Sequence, residues 1–224
     1  MAVLPIVRMG NPVLRTPAAP VPPEALAEPA TQQWIDDMVE TMLEADGVGL
    51  AAPQVGVDWQ LFVYQAEDDE DPQGGIPLCV VVNPELEALP GERVVDWEGC
   101  LSIPDLRGLV PRHPAVRLRG LDREGTPVDR VVEGFEARIV QHEFDHLHGV
   151  LFLDRMRDLA SLAFLDEWQE FVGAVGPEAE PAVSRTPTGA AQAESQARPG
   201  RNAANRRSVR HPAAGSRARG RSCR

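Results

Sequence analysis

The segment His142-Glu143-Phe144-Asp145-His146 constrains this 224-residue chain more than any other stretch of it. At 3.6 residues per turn, two histidines four positions apart lie on one helical face, so both imidazoles can reach a single cation. Glu143, one step beyond the first histidine, is placed to meet a water on that cation rather than the cation itself. Ile139, Val140, Phe144 and Leu147 make the predicted helix, over about 135–148, apolar around much of its circumference. Histidine, glutamate and aspartate buried in such a helix need partners to offset their desolvation, and a metal supplies them. The fold must therefore wrap this helix on several sides.

Two histidines leave a third ligand to find. The downstream pattern H-E-x-x-H-x-x-G-x-x-H fails, because Gly149 stands at its glycine but Phe152 stands where the third histidine belongs. His148, two residues after His146, points to another face. Upstream, Cys100 in Glu98-Gly99-Cys100-Leu101-Ser102 follows a predicted strand, where a neighbouring cation would favour its thiolate. A lone cysteine is more often a small buried hydrophobe, a reading that suits Cys79 within Leu78–Val82. Spacing alone does not lift Cys100 above that reading.

The rest of the body alternates short apolar runs with turns. After a proline-rich opening (1–23), Trp34, Ile35, Met38, Val39, Met42 and Leu43 recur at helical spacing and predict a helix over about 30–45, stopped at Asp46-Gly47. Gly47–Gln54 is too rich in glycine and proline for a helix interior. Strands are predicted at Leu61–Tyr64, Leu78–Val82, Val94–Trp97, Ala115–Leu121, Val128–Val132 and Val150–Leu153. An acidic loop, Glu67–Asp71, follows the first of them, and a hairpin turn is predicted at Asp122–Gly125. A final amphipathic helix over about 158–174 is expected to close the fold. Strands without regular strand–helix alternation point to an α+β domain.

Charge divides the chain. Residues 1–184 hold 33 acidic residues against 12 arginines, a net −21, and residues 185–224 hold ten arginines against Glu194, a net +9, which together give the chain's −12. Beyond Pro177 almost no large apolar residue remains, so the segment 176–224 is expected to be a disordered basic tail after a domain over 1–175. No stretch approaches the roughly 18 apolar residues of a membrane span. Met1–Pro5 carries no basic and apolar leader, and three cysteines argue against a disulfide scaffold. A cytoplasmic location without membrane attachment is expected.

Three segments in order, Gly47–Gln54, Glu98–Ser102 and Gln141–His146, resemble the three signature motifs of peptide deformylases. The stretches Leu4–Val7, Pro12–Arg15 and His146–Asp154 are also similar to that family, and the resemblance covers about residues 1–175. The absence of long insertions between the motifs resembles the shorter bacterial type. The resemblance implies antiparallel β-sheets around a central metal-binding helix, with an N-terminal and a C-terminal helix. It implies removal of the formyl group from the N-terminal formyl-methionine of nascent proteins, releasing formate.

By the same resemblance, Cys100, His142 and His146 bind one divalent metal, iron(II) in the family with zinc, nickel or cobalt as alternatives, and leave a fourth position for water. Glu143 is implied as general base and then acid. The Gln54 amide and the Leu101 backbone N–H are implied as donors to an oxyanion. Val48, Gly49 and Leu50 would pair with an extended substrate, and Ile139 would stand near the wall of the methionine pocket. Glu98 and Arg107 match polar family positions near the site, or form an ordinary ion pair. The expected partners are formyl-methionyl peptides, nascent chains and the ribosome, and the expected state is a monomer. Tail arginines contacting ribosomal RNA, or a tail under little constraint, are both open. Two rival readings remain: a zinc endopeptidase with no need of Cys100, and a ribosome-binding protein whose metal is structural.

Overall fold

The structure, a computed structural model, describes residues 2–67 and 75–172. The expected tail and most of the expected acidic loop lie outside the described residues. A 3-10 turn at Pro12–Arg15 and a single helical turn, α1 (Pro23–Leu26), lead to α2 (Pro29–Glu44). Pro29 stands in the first turn of α2, where its missing N–H costs nothing. Asp46, with φ of 51°, ends that helix, and the Gly47 N–H donates to Met42 O at 2.9 Å.

The chain then forms β1 (Gly49–Ala51), a 3-10 turn at Ala52–Val55, β2 (Leu61–Ala66), β3 (Ile76–Ala88), β4 (Val94–Cys100), β5 (Ile103–Arg112), β6 (Ala115–Leu121) and β7 (Pro127–Glu133). Helix α3 (Gly134–Leu147), the turn α4 (Phe152–Arg155), β8 (Ala163–Phe164) and α5 (Leu165–Phe171) complete it. One sheet has the order β1-β2-β3-β6-β7 and the other β4-β5-β8, and every pairing of neighbouring strands is antiparallel. The architecture is α+β, as expected.

The pleat of β2 explains why it reads as an unbroken apolar run. Leu61 and Val63 join Val80 and Val82 against Ile35, Met38 and Met42 of α2. Phe62 and Tyr64 turn the other way and join Val81 against Ala137, Ile139 and Val140 of α3. A helix on each face buries both sets of side chains, each large apolar one contributing roughly 1.5–3 kcal/mol. A third cluster, with Leu14, Ile103, Val110, Leu151 and Phe152, gathers around Cys100. Helix α3 thus lies between the larger sheet and the β4–β5 hairpin.

Two strands were not predicted, and two predictions need correction. Gly49–Ala51 is a strand, paired to β2 through Leu50↔Val63. Ile103–Arg112 is a ten-residue strand that Pro104, Gly108 and Pro111 had hidden. Val150–Leu153 is not a strand: the Asp154 carboxylate accepts the Leu151 N–H at 2.7 Å and winds the chain into α4. The last helix is confined, among the described residues, to Leu165–Phe171, because Ala163 and Phe164 pair with Arg107 and Leu106 at the edge of β5.

Candidate metal centre

Strand β4 ends at Cys100, and a tight turn brings Ile103 back opposite it. That corner faces the helix positions 142 and 146. Cys100 Sγ and one ring nitrogen from each of His142 and His146 all lie within 4.8 Å of one another, and all three residues are buried. Sγ stands 3.3 Å from His146 Nε2. Donor atoms around one tetrahedral cation sit roughly 3.3–3.6 Å apart, so slight side-chain rotation closes the set. Two imidazoles and a thiolate, each buried, suit a transition-metal cation, and they leave a further coordination position open.

The surroundings orient each ligand. Glu98 Oε2 binds His142 Nδ1 at 2.9 Å, which directs Nε2 to the centre. Phe152 stacks on the His142 ring, with centroids 6.4 Å apart and planes at 21°. The Gln54 Oε1 atom accepts the Ala51 N–H at 2.8 Å, so the amide NH2 must face the other way. It points to Cys100 Sγ at 3.5 Å and Ser102 Oγ at 3.3 Å. Glu143 is buried beside this group, and its Oε2 meets no hydrogen-bond partner. A buried carboxylate oxygen without a partner is costly unless a ligand meets it.

Burial sets the electrostatics first. It pushes the Glu143 carboxyl up to about 7, with His142 opposing the shift and Glu98 adding to it. A group poised there exchanges protons near neutrality. Burial also acts on Glu98, but hydrogen bonds from Arg112 and His142 outweigh it and hold that carboxyl well below its usual range. Burial disfavours a charge on both histidines. It keeps His146 well below its ordinary value, whereas the Cys100 sulfur and Glu98 raise His142 above its own.

The expected substrate residues are dispersed. Gly49 and Leu50 are buried in β1 and Val48 is 41% exposed beside them. Because β1 is an edge strand, one side of its backbone is paired with no other strand among the described residues. A Cβ on Gly49 would stand 2.4 Å from Glu143 Oε1, so the bare backbone lies directly on the carboxylate. Leu101 is half-buried at the corner after Cys100 and packs on the α2 cluster. Arg107 lies across Gly99, where a Cβ would meet its Nη1 at 1.7 Å, and donates to Leu106 O at 3.1 Å.

Glu98, expected near the substrate or in an ion pair, has both oxygens occupied by Arg112, Arg138 and His142. Ile139 packs in the cluster between α3 and the larger sheet. Sequence reasoning also passed over Ser102, Arg112, Arg138 and Asp145 as parts of the centre. For Arg138 and Asp145 the signal was helical spacing; nothing near Arg112 in the sequence marks it.

Fold and donor set together define a metal-binding hydrolase built on a helical H-E-x-x-H with an upstream cysteine. Residues 3–161 match the family of polypeptide deformylases, and the chain belongs to that family. It is 48% identical over 163 residues to peptide deformylase 2 of Bordetella bronchiseptica, covering 72% of this chain and 92% of the relative. Peptide deformylase 1 of Nitrosomonas europaea is 42% identical over 164 residues, with the same coverages. Among solved structures, a class I type b peptide deformylase from Acinetobacter baumannii with Met-Ala-Ser bound superposes with a TM-score of 0.65 at 41% identity, over 69% of this chain and 99% of that one. A Synechococcus elongatus peptide deformylase in complex with actinonin gives 0.62 at 42% identity, over 69% and 81%. The chain is a peptide deformylase by family, acting on peptide substrates with a divalent metal ion. No helix among the described residues is long and apolar enough to cross a membrane.

Proposed function

We propose that Cys100, His142 and His146 hold the divalent cation at which this enzyme removes the formyl group from N-terminal formyl-methionine, with Glu143, Gln54 and Leu101 doing the remaining chemistry. One observation carries the reading: three buried donors lie within 4.8 Å of one another, with the Gln54 amide 3.5 Å from the sulfur and, on the residue after His142, a buried carboxylate oxygen that meets no partner. A bound cation supplies Lewis-acid activation of water and of the formyl carbonyl. Glu143, raised toward neutrality by burial, takes the proton of the attacking water and passes it to the leaving amine. The Gln54 amide, oriented by Ala51, and the Leu101 N–H donate to the oxygen on which negative charge develops. A single donor of this type is worth about 3–4 kcal/mol in the transition state.

The open edge of β1 aligns the substrate as an added strand along Val48, Gly49 and Leu50, where a bare glycine permits close approach. Arg107, held over Gly99 beside the cysteine corner, faces polar parts of the bound chain. The cation in this reading is iron(II), the substrates are chains emerging from the ribosome, and the enzyme works as a cytoplasmic monomer. Zinc, nickel or cobalt would also suit two imidazoles and a thiolate, so metal analysis of anaerobically purified protein decides the cation. The domain is read as residues 1–175 and residues 176–224 as an extension outside it.

The test compares formyl-Met-Ala-Ser with its acetylated and unblocked forms. Wild type should release formate from the first alone. Glu143→Ala should abolish that release with the metal retained. Turnover of the acetyl peptide equal to that of the formyl peptide, or full activity in Glu143→Ala, would defeat the assignment.

A further inference from the structure

Arg138, His142 and His146 are spaced by four and share one face of α3, so an arginine stands one turn before the paired histidines. Arg138 is 7% exposed. Its Nη1 donates to Glu98 Oε1 at 2.8 Å and to Val110 O at 2.9 Å, and its Nη2 donates to Val94 O at 2.9 Å. Val94 and Val110 belong to the two strands of the β4–β5 hairpin. One guanidinium therefore ties helix α3 to both strands of the hairpin that delivers Cys100 and to the carboxylate that holds His142.

The Glu98 carboxylate is saturated. Oε1 accepts from Arg112 Nε at 2.9 Å and from Arg138, and Oε2 accepts from Arg112 Nη2 at 3.0 Å and contacts His142 Nδ1. A carboxylate offers about four lone-pair directions, and all four are in use. Arg112 continues the network to Asp145, which Arg155 binds from the other side at 2.6 and 3.0 Å. Arg112 grips both oxygens of Glu98 and fixes the plane of the carboxylate. Arg138 adds what Arg112 does not, a direct tie from α3 itself to that carboxylate and to both strands of the hairpin.

We infer that Arg138 is a positioning residue of the metal centre: by fixing Glu98 against His142 Nδ1 and tying α3 to the β4–β5 hairpin, it sets the geometry in which thiolate and imidazoles meet. The inference rests on the proposed ligand set. It assigns to Arg138 a role in metal retention that is separate from substrate binding, since its guanidinium donates to Glu98 and to the carbonyls of Val94, Asp96 and Val110 and to no residue of β1. Partners of a ligating histidine typically govern metal affinity by about 10–100-fold.

The experiment loads wild type, Arg138→Leu and Arg138→Lys with cobalt(II), follows the visible spectrum of the bound ion, and measures its loss to a chromophoric chelator. Thermal unfolding and steady-state kinetics on formyl-Met-Ala-Ser accompany it. Arg138→Leu should lose metal at least about tenfold faster and show an altered cobalt spectrum, with kcat lowered and KM within about twofold of wild type. Arg138→Lys, which keeps the charge but not the planar fork, should fall between. Metal loss and spectrum matching wild type in either folded variant would overturn the inference. Should Arg138→Leu fail to fold, the lysine variant decides alone. Wild type that binds no cobalt, or binds it unchanged after Cys100→Ser, would instead overturn the ligand set.

Discussion

Gly49→Ala isolates the contact between β1 and the carboxylate of Glu143, the proposed proton acceptor. The φ angle at Gly49 is not positive, so alanine brings no backbone strain. Its Cβ would stand 2.4 Å from Glu143 Oε1, 2.8 Å from Cδ and 2.9 Å from Cγ, where contacts under 3.0 Å essentially never occur. The carboxylate must withdraw by roughly 0.6–1 Å to restore ordinary contact. Glu143 is fully buried in packed surroundings, so it moves by leaving its rotamer, at about 0.5–1.5 kcal/mol. Overpacking elsewhere brings the total to about 1–3 kcal/mol, against a gain of about 0.5–1 kcal/mol from replacing glycine in a strand. The net loss of stability is about 0.5–2 kcal/mol. A proton acceptor displaced by about 1 Å costs roughly 100-fold in kcat, while KM and metal content should hold, because the backbone edge and the ligands are untouched. Urea unfolding and formate release measure both effects. The decisive control repeats the substitution in Glu143→Ala, where no carboxylate remains to clash and the stability loss should vanish. An equal loss in both backgrounds, or a kcat for Gly49→Ala within about threefold of wild type, would refute the reasoning.

Gln54→Ala removes the side-chain donor proposed for the developing oxyanion and should lower kcat by about 10²–10³-fold with the metal retained, read by single-turnover kinetics and metal content. Cys100→Ser exchanges a thiolate for a hydroxyl that resists deprotonation and should weaken metal binding at least about tenfold, measured by competition with a chelator. Glu98 has a folded pKa depressed below its ordinary 4.5, so its contribution to stability is complete above that value and is lost as pH falls through the folded one. Glu98→Gln should therefore destabilise the protein at neutral pH by about 3–5 kcal/mol and flatten the acid limb of the stability curve, a result that chemical denaturation across pH will show. A chain ending at residue 175 should keep wild-type kcat and melting temperature, which the same assays on the shortened protein will check.

How far the sequence discloses such a centre depends on whether the relevant forces are local. The apolar runs of β2 and β3 were legible because helices on both faces leave no polar positions to interrupt them, and α2 because Ile35, Met38 and Met42 repeat at its own period. Strand β5 was not, since Pro104, Gly108 and Pro111 interrupt the alternation by which a strand is recognised. Residues 158–164 matched a helical period, yet pairing with β5 claimed Ala163 and Phe164, a contact across more than fifty residues. The histidine pair was visible from four residues of spacing alone. Cys100 needed motif resemblance, because the turn joining β4 to β5, not any interval along the chain, carries its sulfur to the helix. Arg138 shows the limit most sharply. Arginine is ordinarily exposed, and a buried one is unfavourable until its donors are met. What meets them here, Glu98 and two strand carbonyls, lies 28–44 residues away and assembles only when the hairpin closes on α3. The residue that ties the centre together is therefore one whose local sequence argues for the surface.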